Sequence, residues 1–210
     1  MRKDLIIEWL ACRNQILTDD QFAQLARFQE MVLTAPINLT AIKTDEGFAV
    51  KHFIDSFTLL DYVDKQSKDA TYIDVGTGAG FPGIPLKIAR PELDITLLDS
   101  LNKRVLFLRN VVDELGLQNM ECVHARAEDI RTRYNVAFAR AVANLPKLCD
   151  YVLPLVKPGG VFFAMKGPEV HEEIKNAKPV LDKFGAVIEN VETVKIASGM
   201  KHTIIVIRKS

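Results

Sequence analysis

The 210-residue chain has no net charge, with 27 basic residues against 27 acidic ones, only three cysteines and a single tryptophan. The charge balance excludes the global basic surplus typical of nucleic-acid-binding proteins, so any such surface must be local. Cys12, Cys122 and Cys149 lie far apart, form no C-x-x-C pair and would leave one over if two were bridged. They read as buried thiols in a reducing compartment. The histidines and cysteines show no zinc spacing, so no metal is expected. The opening MRKDLIIEWLAC superficially resembles a lipoprotein signal, but Asp4 and Glu8 interrupt its apolar run, which favours an amphipathic helix. No later stretch approaches the roughly 18 uninterrupted apolar residues of a membrane span. These absences lead us to expect a soluble, cytoplasmic, monomeric protein.

What is present is a change of texture near residue 70. From Leu5 to Asp64 apolar residues recur at helical spacing, as in Phe22, Leu25, Phe28 and Val32, with Thr18 and Asp19 as candidate caps. This predicts an N-terminal helical subdomain over 1–69. Beyond the polar linker 65–69, short apolar runs alternate with amphipathic segments. Strands are predicted at 71–75, 95–99, 120–124, 136–140 and 160–166, the last placed after the turn signal Lys157, Pro158, Gly159. Helices are predicted at 102–114 and 170–184, and two β-rich runs, 187–196 and 203–208, predict a terminal hairpin. Residues 70–210 thus read as one compact α/β unit with a mostly parallel, doubly wound sheet and one antiparallel strand. A seven-stranded sheet with this ending is the usual architecture of Rossmann-like class I methyltransferases, although spacing does not give the strand order.

The strongest local signal is YIDVGTGAGFPGIP over 72–85, where a buried strand meets a glycine-rich turn and then a helix. Gly76, Gly78 and Gly80 allow close approach of a ligand, and the following helix start offers N–H groups. Two readings compete. Gly78, Gly80 and Gly83 satisfy G-x-G-x-x-G, and Asp99 stands where a dinucleotide fold keeps its ribose-binding acid, so an NAD-dependent dehydrogenase is one alternative. S-adenosyl-L-methionine is favoured by Asp74, two positions before the glycines, and by Pro82 and Pro85, which remove donors a pyrophosphate would need. Asp99 could instead cap the next helix, a role open also to Ser100. Ala127 and Glu128 follow the third strand, where the loop would close over adenine; Glu128 could equally be a solvated acid.

At these residues the sequence resembles the bacterial small-subunit rRNA (guanine-N7) methyltransferases, the glucose-inhibited division protein B family. The matching stretches are 38–42 (NLTAI), 51–56 (KHFIDS), 73–85 (IDVGTGAGFPGIP), 97–108 (LLDSLNKRVLFL), 139–143 (ARAVA) and 166–167 (KG). The resemblance implies cofactor contacts at Gly76, Phe81, Ala127, Glu128 and Arg140, with a core phenylalanine and a surface ion pair as the plain alternatives for Phe81 and Arg140. It implies 16S rRNA, or a small ribosomal subunit or assembly intermediate, as partner. Guanine N7 carries an in-plane lone pair, so no catalytic base is expected and the mechanism is one of positioning. His52, Arg104, Arg140 and Lys166 are the candidate substrate contacts, His52 with a purely structural alternative. Lys103, Arg109, Arg126, Arg131, Arg133 and Lys147 complete a candidate basic rim, or a solvated scatter of charge. A non-enzymatic S-adenosylmethionine sensor in ribosome assembly is the further alternative.

Overall fold

The computed structural model describes residues 1–140, 143–196 and 199–210. Ala141 and Val142 of the ARAVA stretch therefore lie outside the described residues. The chain opens with α1 (Lys3–Ala11) and α2 (Asp19–Thr34). Thr18 starts α2 with a capping box: its hydroxyl accepts from the Gln21 amide, and the Gln21 side chain accepts from the Thr18 amide. Then come α3 (Asp45–Phe48), a π-helical turn over Ala49–Ile54, and the short helices α4 (Asp55–Phe57) and α5 (Leu60–Val63). The alternating region supplies β1 (Thr71–Val75), α6 (Gly83–Ala89), β2 (Asp94–Asp99), α7 (Asn102–Leu115), β3 (Met120–His124), β4 (Tyr134–Arg140), α8 (Leu145–Val152), β5 (Val156–Lys166), α9 (His171–Phe184), β6 (Ala186–Lys195) and β7 (Lys201–Lys209).

The seven strands form one sheet in the order β3-β2-β1-β4-β5-β7-β6. Pairings from β3 through β5 are parallel, whereas β7 runs antiparallel to both β5 and β6. Buried side chains alternate between the faces, as a strand's two-residue period requires. Val136, Phe138, Val161, Phe163, Ile204 and Val206 face one core, together with α6, α7 and the N-terminal helices. Ala137, Ala139, Phe162, Ala164, Ile205 and Ile207 face the other, with α8 and α9.

The N-terminal helices share the first core rather than forming one of their own: Ile6, Leu25, Phe28 and Phe53 belong to the same buried cluster as Ile84, Leu97 and Phe138. Side chains of α2 also satisfy helix ends in the next layer. Gln21 Nε2 donates to the carbonyls of Ile88 (2.8 Å) and Ala89 (3.2 Å) at the end of α6, and Gln24 Nε2 to Leu115 O (3.1 Å) at the end of α7.

Two local expectations are corrected. The Lys157, Pro158, Gly159 signal does not precede β5 but lies inside it. Tyr134 pairs with Val156 and Val136 with Val161, so the intervening residues bulge out, with Gly159 at φ +75°. Leu101, not Asp99 or Ser100, stands at the cap position before α7 and offers no side-chain cap; Asp99 Oδ1 accepts from the Leu101 amide instead (2.9 Å).

Candidate active site

The parallel strands end at two cavities. The smaller, about 220 Å³, is lined by Gly76, Asp99, Ser100, Ala127, Glu128 and Tyr151, among others. It therefore gathers the ends of β1, β2 and β3, the edge where open α/β sheets hold ligands. Gly76 and Gly78 have φ of +70° and +62°; Gly76 is on the cavity wall, whereas Gly78, where a Cβ would meet nothing nearer than a backbone oxygen at 4.0 Å, stands behind it. Ala127–Asp129 forms a single 3₁₀ turn on the opposite wall.

Asp99 is 3% exposed and holds this cavity together. Its Oδ2 accepts from Gly78 N (3.0 Å) and Arg104 Nη1 (3.3 Å), and its Oδ1 accepts from Leu101 N. A carboxylate offers about four lone-pair positions, so three donors leave capacity on Oδ1 for a hydroxyl. Arg104, expected at the substrate, is paired with Asp99 beside this smaller cavity.

Asp74 and Phe81 are not on the cavity walls. Asp74 is fully buried, with Oδ2 accepting from Thr77 Oγ1 (2.7 Å) and from the Gly83 amide (2.8 Å). It braces the glycine loop, and it takes a helix-start N–H that the sequence had offered to a ligand. Burial pushes its carboxyl up to about 6. Phe81 is 3% exposed and sits among Phe28, Phe48 and Phe53. Gly80 and Gly83 are packing positions as well. A Cβ on Gly83 would stand 2.4 Å from Leu97 Cδ2 and 2.9 Å from Asp74 Oδ2.

The larger cavity, about 640 Å³, opens beside the first, at the ends of β4 and β5. Lys51, His52, Asp55, Arg140, Lys166 and His202 are on its wall, with Glu169 and Glu173. The structure thus brings His52, Arg140 and Lys166 together as expected candidates. Asp55, His202 and Glu173 were not foreseen.

The π-helical turn places this group. It covers AVKHFI, the first part of the KHFIDS stretch, and its wider winding is of the kind found at functional sites. Arg140, at the end of β4, reaches back to it. Nη1 donates to Lys51 O (3.1 Å) and Asp55 Oδ2 (2.9 Å), and Nη2 to His52 Nδ1 (3.3 Å). A guanidinium only donates, so His52 Nδ1 is the acceptor and Nε2 carries the proton, donating to Thr40 Oγ1 at 2.8 Å. Thr40 belongs to NLTAI, so two of the matching stretches meet in one hydrogen bond. Burial first, and the Arg140 charge second, push His52 down to about 3.

Asp55 binds Arg140 through one oxygen and His202 Nδ1 through the other. Burial opposes its charge, yet the His202 and Arg140 contacts hold its carboxyl below the usual range. Lys166 is nearly buried, donating to Ala143 O (2.6 Å) and pairing with Glu173 Oε2 (2.8 Å), which also accepts from Leu145 N (2.6 Å).

Of the rest of the predicted basic rim, Arg126 lines the smaller cavity, Arg109 donates to Cys122 O on the outermost strand (3.2 Å), and Lys103, Arg131, Arg133 and Lys147 are exposed and line neither cavity. Among the described residues no group of three or more potential metal ligands occurs, and no helix is long and apolar enough to cross a membrane.

Solved structures with the same fold include a SAM-dependent methyltransferase from Aquifex aeolicus (TM-score 0.59, 18% identity, covering 88% of this chain and 98% of that one). Another is M. jannaschii TYW2 in complex with AdoMet (TM-score 0.59, 16% identity, 81% and 80% covered). At these identities the likeness is one of fold. Curated relatives are nearer. A ribosomal RNA small subunit methyltransferase G from Alkaliphilus metalliredigens is 45% identical over 92% of this chain and 84% of its own length. One of the same name from Acetivibrio thermocellus is 43% identical over 99% and 88%. The family model described as rRNA small subunit methyltransferase G matches residues 21–204, and with it the dehydrogenase alternative falls away. This chain belongs to the rRNA small subunit methyltransferase G (GidB) family.

Proposed function

We propose that this protein methylates N7 of a guanine in 16S rRNA with S-adenosyl-L-methionine as donor. The observation that supports it most is the adjacency of two unlike cavities at neighbouring strands β1 and β4. One is a narrow, glycine-floored cleft with a single buried carboxylate. The other is larger and lined by both cations and carboxylates. The cleft fits the donor: a glycine wall at Gly76, a free acceptor position on Asp99 for a ribose hydroxyl, and small side chains at Ala125 and Ala127 beside which a flat ring can lie.

When bound, the donor supplies an electrophilic methyl group on a sulfonium. The protein's part is to align the base. Holding a nucleophile in line is worth up to roughly 7–11 kcal/mol, and the N7 lone pair needs no deprotonation. The cavity agrees with that chemistry. His52, the group nearest in type to a general base, is neutral with its Nδ1 lone pair engaged by Arg140, so it is built to orient rather than to take a proton. Asp55 and Glu173 are already paired, with Arg140 and Lys166, and Glu169 adds to the wall an acidic group of the sign that favours a ring gaining positive charge. Lys51, exposed at the wall, has the sign to hold phosphate. An intact RNA helix hides N7 in its narrow major groove, so the acceptor must be an accessible loop or an assembly state.

The test is methyl transfer from labelled S-adenosylmethionine to small-subunit particles or rRNA isolated from a strain without the enzyme. Ribonuclease-sensitive label supports the reading. Label that survives ribonuclease points to another acceptor, and cofactor binding without any transfer to a sensor.

A further inference from the structure

We propose that His202, contributed by the antiparallel strand β7, is a positioning residue for methyl transfer: it orients the Asp55 carboxylate, which in turn fixes the Arg140 guanidinium at the cavity wall. This rests on the methyltransferase reading above. The relay runs between elements remote in sequence. His202 Nδ1 bonds Asp55 Oδ1 and its Nε2 lies 3.1 Å from Thr58 Oγ1, so both ring nitrogens are held. The Thr58 hydroxyl also donates to Asp55 O (2.7 Å), joining the ring to the helix that carries the carboxylate. With Oδ1 engaged by His202, Oδ2 is left to Arg140 Nη1 (2.9 Å).

The effect on Arg140 follows from its geometry. An arginine has five N–H donors in a rigid plane. Its Nη atoms are turned to Asp55, Lys51 O and His52, while Nε–H has no protein partner among the described residues. The side of the guanidinium that carries Nε–H remains for a ligand oxygen. Without His202 the carboxylate can rotate about its χ2, and of the three acceptors that hold Arg140 the charged one is no longer fixed in direction. All four side chains of the relay are largely buried: Thr58 is 6% exposed, His202 7% and Asp55 9%, and the Arg140 side chain is 19% exposed. A buried network of this kind costs stability when half broken, so a test must separate the placing of Arg140 from a loss of fold.

The test is a double-mutant cycle with a spectroscopic arm. His202→Leu is predicted to lower kcat/KM for small-subunit rRNA about tenfold when Arg140 is present and less than twofold in an Arg140→Ala background. His202→Asn, whose amide can occupy the place of Nδ1, recovers most of the loss, whereas His202→Gln does not. Equal losses in both backgrounds, or no loss with Arg140 present, overturn the proposal. In protein labelled with 15N-arginine, His202→Leu is predicted to collapse the separate Nη proton signals of Arg140, through freer rotation, in samples whose melting temperature shows them folded. Unchanged signals contradict the relay. If the wild-type protein transfers no methyl group to rRNA, the proposed function fails, while this second arm still decides whether His202 fixes Arg140.

Discussion

The imidazole of His52 lies flat on the phenyl ring of Phe81, with planes 9° apart and centroids 4.3 Å apart. One contact thereby joins the π-helical turn before the sheet to the glycine loop after β1. Arg140 stands over the same phenyl ring, its guanidinium carbon 5.1 Å from the centroid. Phe81 thus backs two residues of the larger cavity's wall, although its own side chain lies on neither cavity.

His52 makes stability depend on pH with a definite sign. The unfolded chain protonates this histidine near its ordinary pKa of about 6.5, while the folded protein keeps it neutral down to about 3. Below about pH 6.5 the unfolded state therefore binds more protons, and stability falls as pH drops. At about 1.4 kcal/mol per unit, His52 costs about 2 kcal/mol at pH 5 relative to pH 7.5. Urea denaturation of wild type and His52→Gln at the two pH values should show their difference shrink by that amount. The comparison cancels the opposite contribution of Asp74, whose raised carboxyl gains its proton in the folded state. A difference independent of pH contradicts the neutral His52.

Phe81 should behave as a packing residue. Phe81→Ala removes a ring from a cluster with Phe28, Phe48 and Phe53 and is expected to cost about 3–5 kcal/mol in denaturant unfolding. Phe81→Leu, closer in volume, should cost less than about 1.5 kcal/mol and keep cofactor affinity within a few fold. A Phe81→Leu protein that is fully stable yet does not bind cofactor would assign the ring to the ligand instead.

Two glycines separate crowding from backbone strain. Gly83→Ala places a methyl group 2.4 Å from Leu97 Cδ2 and should destabilise by about 1–3 kcal/mol while disturbing the loop that Asp74 braces. Gly116→Ala, at φ +63° with nothing within 4 Å, should cost only the strain of about 1–2 kcal/mol and leave cofactor binding alone. Calorimetric titration with S-adenosylmethionine, run beside thermal unfolding, distinguishes them. Equal cofactor affinity in both variants contradicts the role given to the Gly83 packing.

Asp99→Ala removes an acceptor from the cleft and leaves the Gly78 and Leu101 amides without partners. At about 1–3 kcal/mol for such a loss, cofactor affinity should fall roughly 10- to 100-fold. Unchanged affinity by calorimetry would sink the ribose role.

The strands and the glycine loop were legible because their signals are local: a run of buried β-formers, then residues that tolerate positive φ. The larger cavity was only half legible. His52, Arg140 and Lys166 stood in recognisable stretches, whereas Asp55 and His202 are 147 residues apart and meet only because β7 runs antiparallel beside β5. Nothing in the period of KHFIDS distinguishes a π-helical turn from an α-helical one, since the two differ by one residue of winding. Asp74 stood correctly beside the glycines, but its direction was invisible: a buried residue at a strand end faces the loop or the ligand according to the turn, and here Thr77 and Gly83 claim it. The Lys157, Pro158, Gly159 signal was real and misplaced, because turn chemistry serves a bulge inside a strand as well as a turn between two.

If the protein aligns guanine N7 without a general base, as proposed, the identity of the product nucleoside shows it. Small-subunit RNA or particles lacking the modification are incubated with the protein and labelled S-adenosylmethionine, then digested to nucleosides and resolved by mass spectrometry. Label is expected in 7-methylguanosine, at a rate that shows no inflection from a titrating base near neutral pH. Label on an exocyclic amine or a ribose hydroxyl, where a proton must be removed, would contradict it.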